Sequence, residues 1–277
     1  MKGSLLAKIG VEIIAVCFAL LIFGVPFLFV ILNAGKSVSE SAVMHMSFAA
    51  HQQYLQNFHD VLVAANGMLI TAFYNSTKLT AFSIVVIVVV SAMSGFVLER
   101  RKSRIMPLVS FLIMAGLMIP PSVVTTIWVV RGIHLYKTMT GMVFIETALA
   151  FSFSTLLYRA HMVTIPREID EASIIEGCNG PTLFFRVMFP LLQPVTATVI
   201  VLSGVNIFND FVNPLYFFPG AENATIQLTL YNYMSRFITQ YNLLFANVLL
   251  ISIPPLILFI IFNKRIVAGI VAGAVKG

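Results

Sequence analysis

Glu171-Ala172-Ser173-Ile174-Ile175-Glu176-Gly177, followed by Phe189-Pro190 and Pro194, is a polar break between two apolar stretches. Its surroundings decide the fold. Of 277 residues, 59% are hydrophobic and only 10% are charged, against about 25% charged in an ordinary soluble domain. A membrane-spanning helix needs about 20 mostly apolar residues. Six stretches qualify, at 11–32, 68–97 (with a polar start), 107–130, 141–158, 191–212 and 243–262. A β-barrel would show alternating segments of about 10 residues, and the continuous apolar run at 84–90 excludes it. The expectation is an all-α integral membrane chain with six transmembrane helices, forming a single domain over 1–277.

Basic residues orient such a bundle, because Lys and Arg collect near the cytoplasmic ends of spans. With the N-terminus inside, the cytoplasmic segments hold Lys2, Lys8, Arg100, Arg101, Lys102, Arg104, Arg159, Arg167, Arg186, Lys264, Arg265 and Lys276. The outer segments hold Lys36, Lys78, Arg131, Lys137 and Arg236, so the division is 12 against 5. Both termini are then cytoplasmic, as six spans require. This topology accounts for the net charge of +6 without a nucleic-acid partner. The first apolar run exceeds the about 7–15 residues of a signal peptide core, so it reads as a retained helix. Cys17 lies in the first span and Cys178 in a cytoplasmic loop, and no disulfide or metal site is implied.

The connections differ in length. The segment at 99–104 is short and basic, and two outer segments at 33–67 and 213–242 are long. The first of these reads as containing a short amphipathic helix near 54–63, with Tyr54, Phe58, Val61 and Leu62 on one side. The cytoplasmic loop at 161–190 reads as two short helices. Pro166 suits a helix start, and Glu168, Asp170 and Glu171 sit where the positive helix end favours acids. Gly177 ends that helix, since glycine takes the left-handed cap conformation. Gly180-Pro181 opens the second helix, which is expected to stop before Pro190.

The loop resembles the EAA loop of ABC importer permeases, in which Glu-Ala-Ala is followed by an acid, a Gly and, further on, a Pro. Glu171, Ala172, Glu176, Gly177, Phe185, Pro190 and Pro194 fall at family positions, with Ser173 in place of the second Ala and Cys178 in place of a common Ala. Met118-Ile119-Pro120-Pro121, Asn209-Asp210-Phe211 and the closing Ala272-Gly273-Ala274-Val275-Lys276-Gly277 resemble the carbohydrate-uptake branch, specifically the shorter, maltose-type subunit of its permease pair. The outer segment with Met44, His45, Met46 and His51 departs from that pattern.

The resemblance implies a transmembrane subunit of an ATP-driven importer for a sugar or related polyol in a bacterial inner membrane. Its implied partners are a second homologous permease, two ATPase subunits and an extracytoplasmic solute-binding protein, besides the bilayer. It implies ATPase coupling through Glu171, Ala172, Ser173, Glu176, Gly177 and Pro190, with Ile169, Ala172 and Ile175 as a small apolar stripe. No G-x-x-x-x-G-K-[ST] phosphate loop occurs, so the chain is expected to be no enzyme and to carry no cofactor. ATP and Mg²⁺ would bind to the partner ATPase.

Polar residues inside spans are costly and often functional. Asn206, Asn209, Asp210 and Asn213 fall at i, i+3, i+4 and i+7 and are expected on one face of the fifth span. Asn206 is read as lining a substrate path, with Asp210 and Asn213 at its outer end. Helix–helix hydrogen bonding is the alternative. Glu146 is expected to snorkel outward or pair with Arg131, and Pro120-Pro121 to break the third span, either around a pore or as a packing kink. His45, His51 and His59 match no metal-ligand spacing. Two other functions remain open: an ABC permease for a non-sugar solute, and an ion-coupled secondary transporter, although only one broken span is visible where such carriers pair them.

Overall fold

Apolar helices with polar breaks dominate the computed structural model, which describes residues 2–234 and 239–274, with the backbone alone at 2–9, 258 and 262–274. Arg236 and Lys276 of the charge count, and Val275, Lys276 and Gly277 of the closing motif, lie outside the described residues. Helices α1 (Lys2–Ala19) and α2 (Val25–Ala34) are joined by a π-turn at Leu20–Gly24. There follow α3 (Val38–Ala42), α4 (Tyr54–Arg100), α5 (Met106–Met118), α6 (Val123–Gly132) and α7 (Met139–Met162). The expected coupling loop contains α8 (Glu168–Ile175), α9 (Gly180–Thr182), a π-turn at Leu183–Met188 and α10 (Phe189–Leu191). The chain ends with α11 (Gln193–Phe208), α12 (Val212–Phe217), a 3₁₀ segment at Ile226–Tyr233 and α13 (Tyr241–Ala274). Among the described residues there is no β-strand.

Among the described residues, four helical stretches are long and apolar enough to cross a membrane: Gly10–Ala34, Tyr54–Arg100, Met139–Met162 and Tyr241–Ile261. A further candidate is a pair, Gly180–Leu191 and Gln193–Phe208, bent by 78°. The expected third span is divided into α5 and α6, of 13 and 10 residues. The residues between them include Pro120 and Pro121, which the helix ladder does not tolerate. Helix α4 is itself interrupted, because Ala65, Asn66 and Gly67 have φ of +48°, +57° and +74°. The expected amphipathic helix at 54–63 therefore exists and ends before the span begins. Its buried side is Tyr54, Asn57, Phe58 and Val61, whereas Leu62 is exposed. Asn57 takes the place expected of Leu62 because a polar network needs it there.

Contacts divide the chain into two compact units, 1–70 with 228–253 and 71–227 with 254–277. In the first, the backbone around 33–57 is held by buried polar groups. The Asn57 amide donates to the carbonyls of Ala34 and Lys36 at 2.8 and 2.9 Å, and accepts from Asn242 at 3.0 Å. Lys36, counted above as an outer charge, is only 1% exposed and donates to Asn33 Oδ1 and the His45 carbonyl. Ser37 and Glu40 form a capping box on α3. Hydrogen bonds from the Ala50 and Ser37 backbone N–H groups hold the Glu40 carboxyl below its ordinary range.

The second unit is organised around α7. Gly95 of α4 lies so close to it that a Cβ there would come within 2.8 Å of Tyr158 Cβ and 2.9 Å of the Arg159 nitrogen, the close approach that small residues allow between membrane helices. The Tyr158 hydroxyl donates to Thr196 of α11 at 3.0 Å. At the end of α4, Arg100 Nε lies 2.5 Å from Asp170 Oδ2, and its Nη2 donates to the Ile165 carbonyl at 2.8 Å. Arg167 Nη2 donates to the Glu99 carbonyl at 3.0 Å, and Arg159 pairs with the Glu99 carboxylate at 3.4 Å. These contacts clamp α8 to the end of α4. Burial pushes the Asp170 carboxyl above its ordinary value, while Arg100 and Arg167 pull it down.

Two measurements follow from these networks, both read as thermal unfolding of the purified chain in detergent. Arg100→Ala strands a buried carboxylate and should destabilise by about 3 kcal/mol. Asn57→Ala removes the partners of two carbonyls and should cost about 1–3 kcal/mol. An unchanged melting temperature in either variant contradicts the assigned network.

Candidate translocation cavity and coupling loop

Helix α8 forms where Glu168, Asp170 and Glu171 occupy its first turn, favoured by the positive helix end. It ends as Gly177 requires. Gly177 has φ of +89°, its N–H donates to Ile174 O, and the Cys178 N–H donates to Ser173 O, both at 3.0 Å. This paired closure of the last turn is a Schellman motif. A Cβ on Gly177 would meet nothing within 4 Å, so backbone conformation and not space selects glycine.

Glu171, Ala172, Glu176 and Gly177 are exposed on this corner, as are Ile174 and Ile175. Ser173 is buried, and its hydroxyl donates to the Ile169 carbonyl at 2.8 Å. Of the expected stripe Ile169, Ala172 and Ile175, Ile169 is half-buried against the core while Ala172 and Ile175 are exposed, and Ile174 is exposed beside them. The second helical piece does not stop before Pro190. Asn179 caps it by accepting from the Thr182 N–H at 2.9 Å, and it continues through Leu183–Met188 into Phe189–Leu191. Pro190 falls in the first turn of α10, where its missing N–H is no loss. The chain turns after it, at Leu192.

The polar residues of the expected fifth span do not share one helix. Asn206 lies in α11, Asn209 is its C-cap, and Asn213 belongs to α12. Asp210 breaks the helix between them by accepting from the Val212 and Asn213 N–H groups at 2.9 and 3.2 Å, and the Asn213 amide donates to its other oxygen at 2.5 Å. Asn206, Asp210 and Asn213 nevertheless line one cavity of about 590 Å³. Asn209 is not among its lining residues, and its Oδ1 accepts from Gln227 at 3.0 Å.

Glu146 is the lining residue that sequence reasoning placed elsewhere. It is 5% exposed and lies against the Asp210 and Asn213 side chains, and its Oε1 has no hydrogen-bond partner. It neither snorkels nor pairs with Arg131, whose guanidinium stacks on the Tyr136 ring at 4.6 Å. Snorkelling needs a helix face open to the interface, and Glu146 points into the unit. Leu149, Phe153, Ser154, Leu202 and Ser203 complete most of the wall. Pro121 and Ser122, at the break between α5 and α6, line a neighbouring apolar cavity of about 280 Å³, with Asn213 on the wall of both. The break is thus part of a cavity wall and not a simple packing kink.

Residues 87–271 match the family model described as "Binding-protein-dependent transport system inner membrane component". The chain is 31% identical over 259 residues to a putative ABC transporter permease, ORF2, of Caldicellulosiruptor sp. (strain Rt8B.4), covering 93% of each chain. It is 29% identical over 252 residues to the probable starch degradation products transport system permease protein AmyC of Thermoanaerobacterium thermosulfurigenes, covering 91% of each. Among solved structures it superposes with TM-score 0.81 on a chain of a bacterial ABC transporter that imports the acidic polysaccharide alginate, at 16% identity and over 95% of this chain and 98% of that one. That likeness gives the fold, an all-helical membrane permease fold of the type I importer kind. By the extent of these matches, the chain belongs to the binding-protein-dependent transport system inner membrane component family.

Proposed function

We propose that this chain is the permease subunit of an ATP-driven importer for a sugar or related polyol. The solute class rests on the relatives: the protein named for starch degradation products is 29% identical over 91% of this chain. The whole of 1–277 is taken to act as one permease domain in a bacterial inner membrane, with six crossings and both termini in the cytoplasm. The third crossing then consists of α5 and α6 together. A second homologous permease, two ATPase subunits and an extracytoplasmic binding protein complete the assembly. ATP and Mg²⁺ belong to the ATPase, and this chain carries no cofactor.

The observation that carries the mechanism is the exposed corner at Glu171, Ala172, Glu176 and Gly177, clamped to α4 by Arg100 and Asp170. A contact that transmits force must be stiff relative to what it moves. Here a short helix is closed by a Schellman turn and tied by an ion pair to the C-terminal end of α4, in the part that follows its interruption at Ala65–Gly67. Closure of the ATPases on nucleotide would push the Glu171–Gly177 corner, and the clamp would pass the displacement into α4 as a rigid-body motion. Ser173 would then serve the internal packing of α8, and Pro190 the start of the turn into α11. The cavity lined by Asn206, Asp210 and Asn213 would form this chain's share of the substrate path, with Asn209 supporting its outer end.

Gentle extraction from the native membrane, affinity capture of this chain and mass spectrometry test the assembly. Recovery of a second multi-span permease and a P-loop ATPase is expected. An intact, transport-competent chain recovered alone would instead support an ion-coupled carrier. For the loop, Gly177→Asp places a side chain where φ is +89° and an extra negative charge on the exposed corner. A residue other than glycine there costs about 1–2 kcal/mol, so the protein should still insert, while uptake falls at least tenfold. Normal uptake by that variant contradicts the coupling role. Asn206→Ala should change uptake rate or solute preference, and wild-type values for both would remove Asn206 from the path.

A further inference from the structure

The groove between the end of α4 and helix α8 combines a basic rim with an apolar approach. Its cavity of about 400 Å³ is lined by three guanidinium groups, Arg100, Arg101 and Arg167, against two carboxylates, Asp170 and Glu171. One positive charge is thus uncompensated. Arg100 is committed to Asp170 and the Ile165 carbonyl, and Arg167 donates through Nη2 to the Glu99 carbonyl. The Arg101 guanidinium is exposed and has no hydrogen bond or ion pair among the described residues. Asp170 Oδ1 is buried and accepts no hydrogen bond. The rim therefore suits an anion, and the floor suits a hydrogen-bond donor. The approach to Arg101 is apolar. Val90, Met93 and Val97 are exposed on α4 at i, i+3 and i+7, one stripe of the helix. The Arg101 N–H donates to the Val97 carbonyl at 3.0 Å, so the last turn carries that stripe to its side chain. Phe96 and Leu183 continue the apolar surface inside the groove.

We propose that this groove binds the headgroup of an anionic glycerophospholipid of the inner leaflet, phosphatidylglycerol, with an acyl chain along Val90, Met93 and Val97. The inference rests on the cytoplasmic placement of 99–104 in the orientation proposed above. Arg101 and Arg167 hold the phosphate, whose oxygens match the paired N–H groups of a guanidinium. A headgroup hydroxyl donates to Asp170 Oδ1. A zwitterionic headgroup brings its own cation and leaves the positive excess of the groove unmatched. A soluble phosphate ester makes the ionic contacts but has no chain to cover the stripe. Lys102 and Arg104, exposed next to Arg101, add attraction to an anionic leaflet. Arg167 is the N-cap of α8, so a phosphate shared with Arg101 ties α8 to the end of α4 a second time, beside the Arg100–Asp170 pair.

The test uses the whole assembly, purified into phosphatidylcholine nanodiscs that contain a trace of phosphatidylglycerol with a diazirine on its acyl chain. After illumination, mass spectrometry maps the labelled residues. Label is expected within 90–101, and unlabelled phosphatidylglycerol should displace it at least fivefold more effectively than phosphatidylethanolamine or phosphatidylcholine. Glycerol phosphate in solution should displace none. Arg101→Gln should cut labelling at 90–101 at least fivefold, whereas Arg104→Gln, which removes the same charge outside the groove lining, should leave it within twofold. Equal displacement by the three lipids, displacement by glycerol phosphate, or label confined to other segments overturns the proposal whether or not a variant assembles. Equal loss in the two variants also overturns it, because diffuse surface charge then suffices. The orientation is tested apart from the groove: Arg101→Cys, in a Cys17→Ser and Cys178→Ser background, should resist a membrane-impermeant maleimide added to intact spheroplasts, and its labelling there would overturn the orientation itself.

Discussion

The Arg100 guanidinium lies 2.5 Å from the Asp170 carboxylate, and the placement of the 161–190 loop depends on that pair. Both side chains are nearly buried, at 11% and 13% exposure, so the attraction is weakly screened and loss of either partner is expensive. Burial alone would favour a protonated Asp170, and the two arginines oppose it. Arg167 and Arg159 extend the pair into a network around Glu99. Helix α8 is only 8 residues long, and isolated helices of that length are marginal in water. The clamp supplies the tertiary support that propensity does not.

A second constraint is the polar break between α11 and α12. Asp210 caps the start of α12 and in doing so prevents α11 from continuing. The same turn brings Asp210 and Asn213 to the wall where Glu146 enters from α7. Irregular backbone at membrane depth is tolerated where it faces protein or a cavity. The two breaks in the expected third and fifth spans both meet that condition, since Pro121, Ser122 and Asn213 all line cavity walls. The rest of the wall comes from α11 and from α7, which Gly95 and Thr196 tie to α4 and α11. A displacement of α4 therefore reaches the cavity through packed helices rather than through flexible connections.

Hydropathy located the apolar stretches well because burial in lipid is a bulk property of sequence. Gly177 was legible because positive φ at a helix end strongly favours glycine. Asp170 was legible only as a helix-start acid, since its partner Arg100 belongs to a distant segment and no local spacing reveals the pair. The i, i+3, i+4, i+7 reading of Asn206 to Asn213 assumed one continuous helix, and the structure replaces it with a cap and a new helix. Asp210 followed by Val212-Asn213-Pro214 contained the signal, because an acid ahead of a proline marks a helix start. Glu146 was misassigned for a related reason: its neighbours on α12 are positioned by that turn. Pro190 failed as a stop because the preceding π-turn ends where a new helical turn begins, and proline is tolerated there.

The central claim is that an ATPase grips the Glu171–Gly177 corner and that the clamp carries its motion. The direct measurement is nucleotide-dependent cross-linking from Ala172→Cys, in a Cys17→Ser and Cys178→Ser background, within the intact assembly in membranes. Ala172 is exposed and lies outside the clamp. The account predicts a cross-link to a P-loop ATPase whose yield changes at least severalfold between nucleotide-free and ATP-bound states, and that Arg100→Ala keeps the cross-link but abolishes uptake. A cross-link to no ATPase in either state, or full uptake in assembled Arg100→Ala, would contradict it.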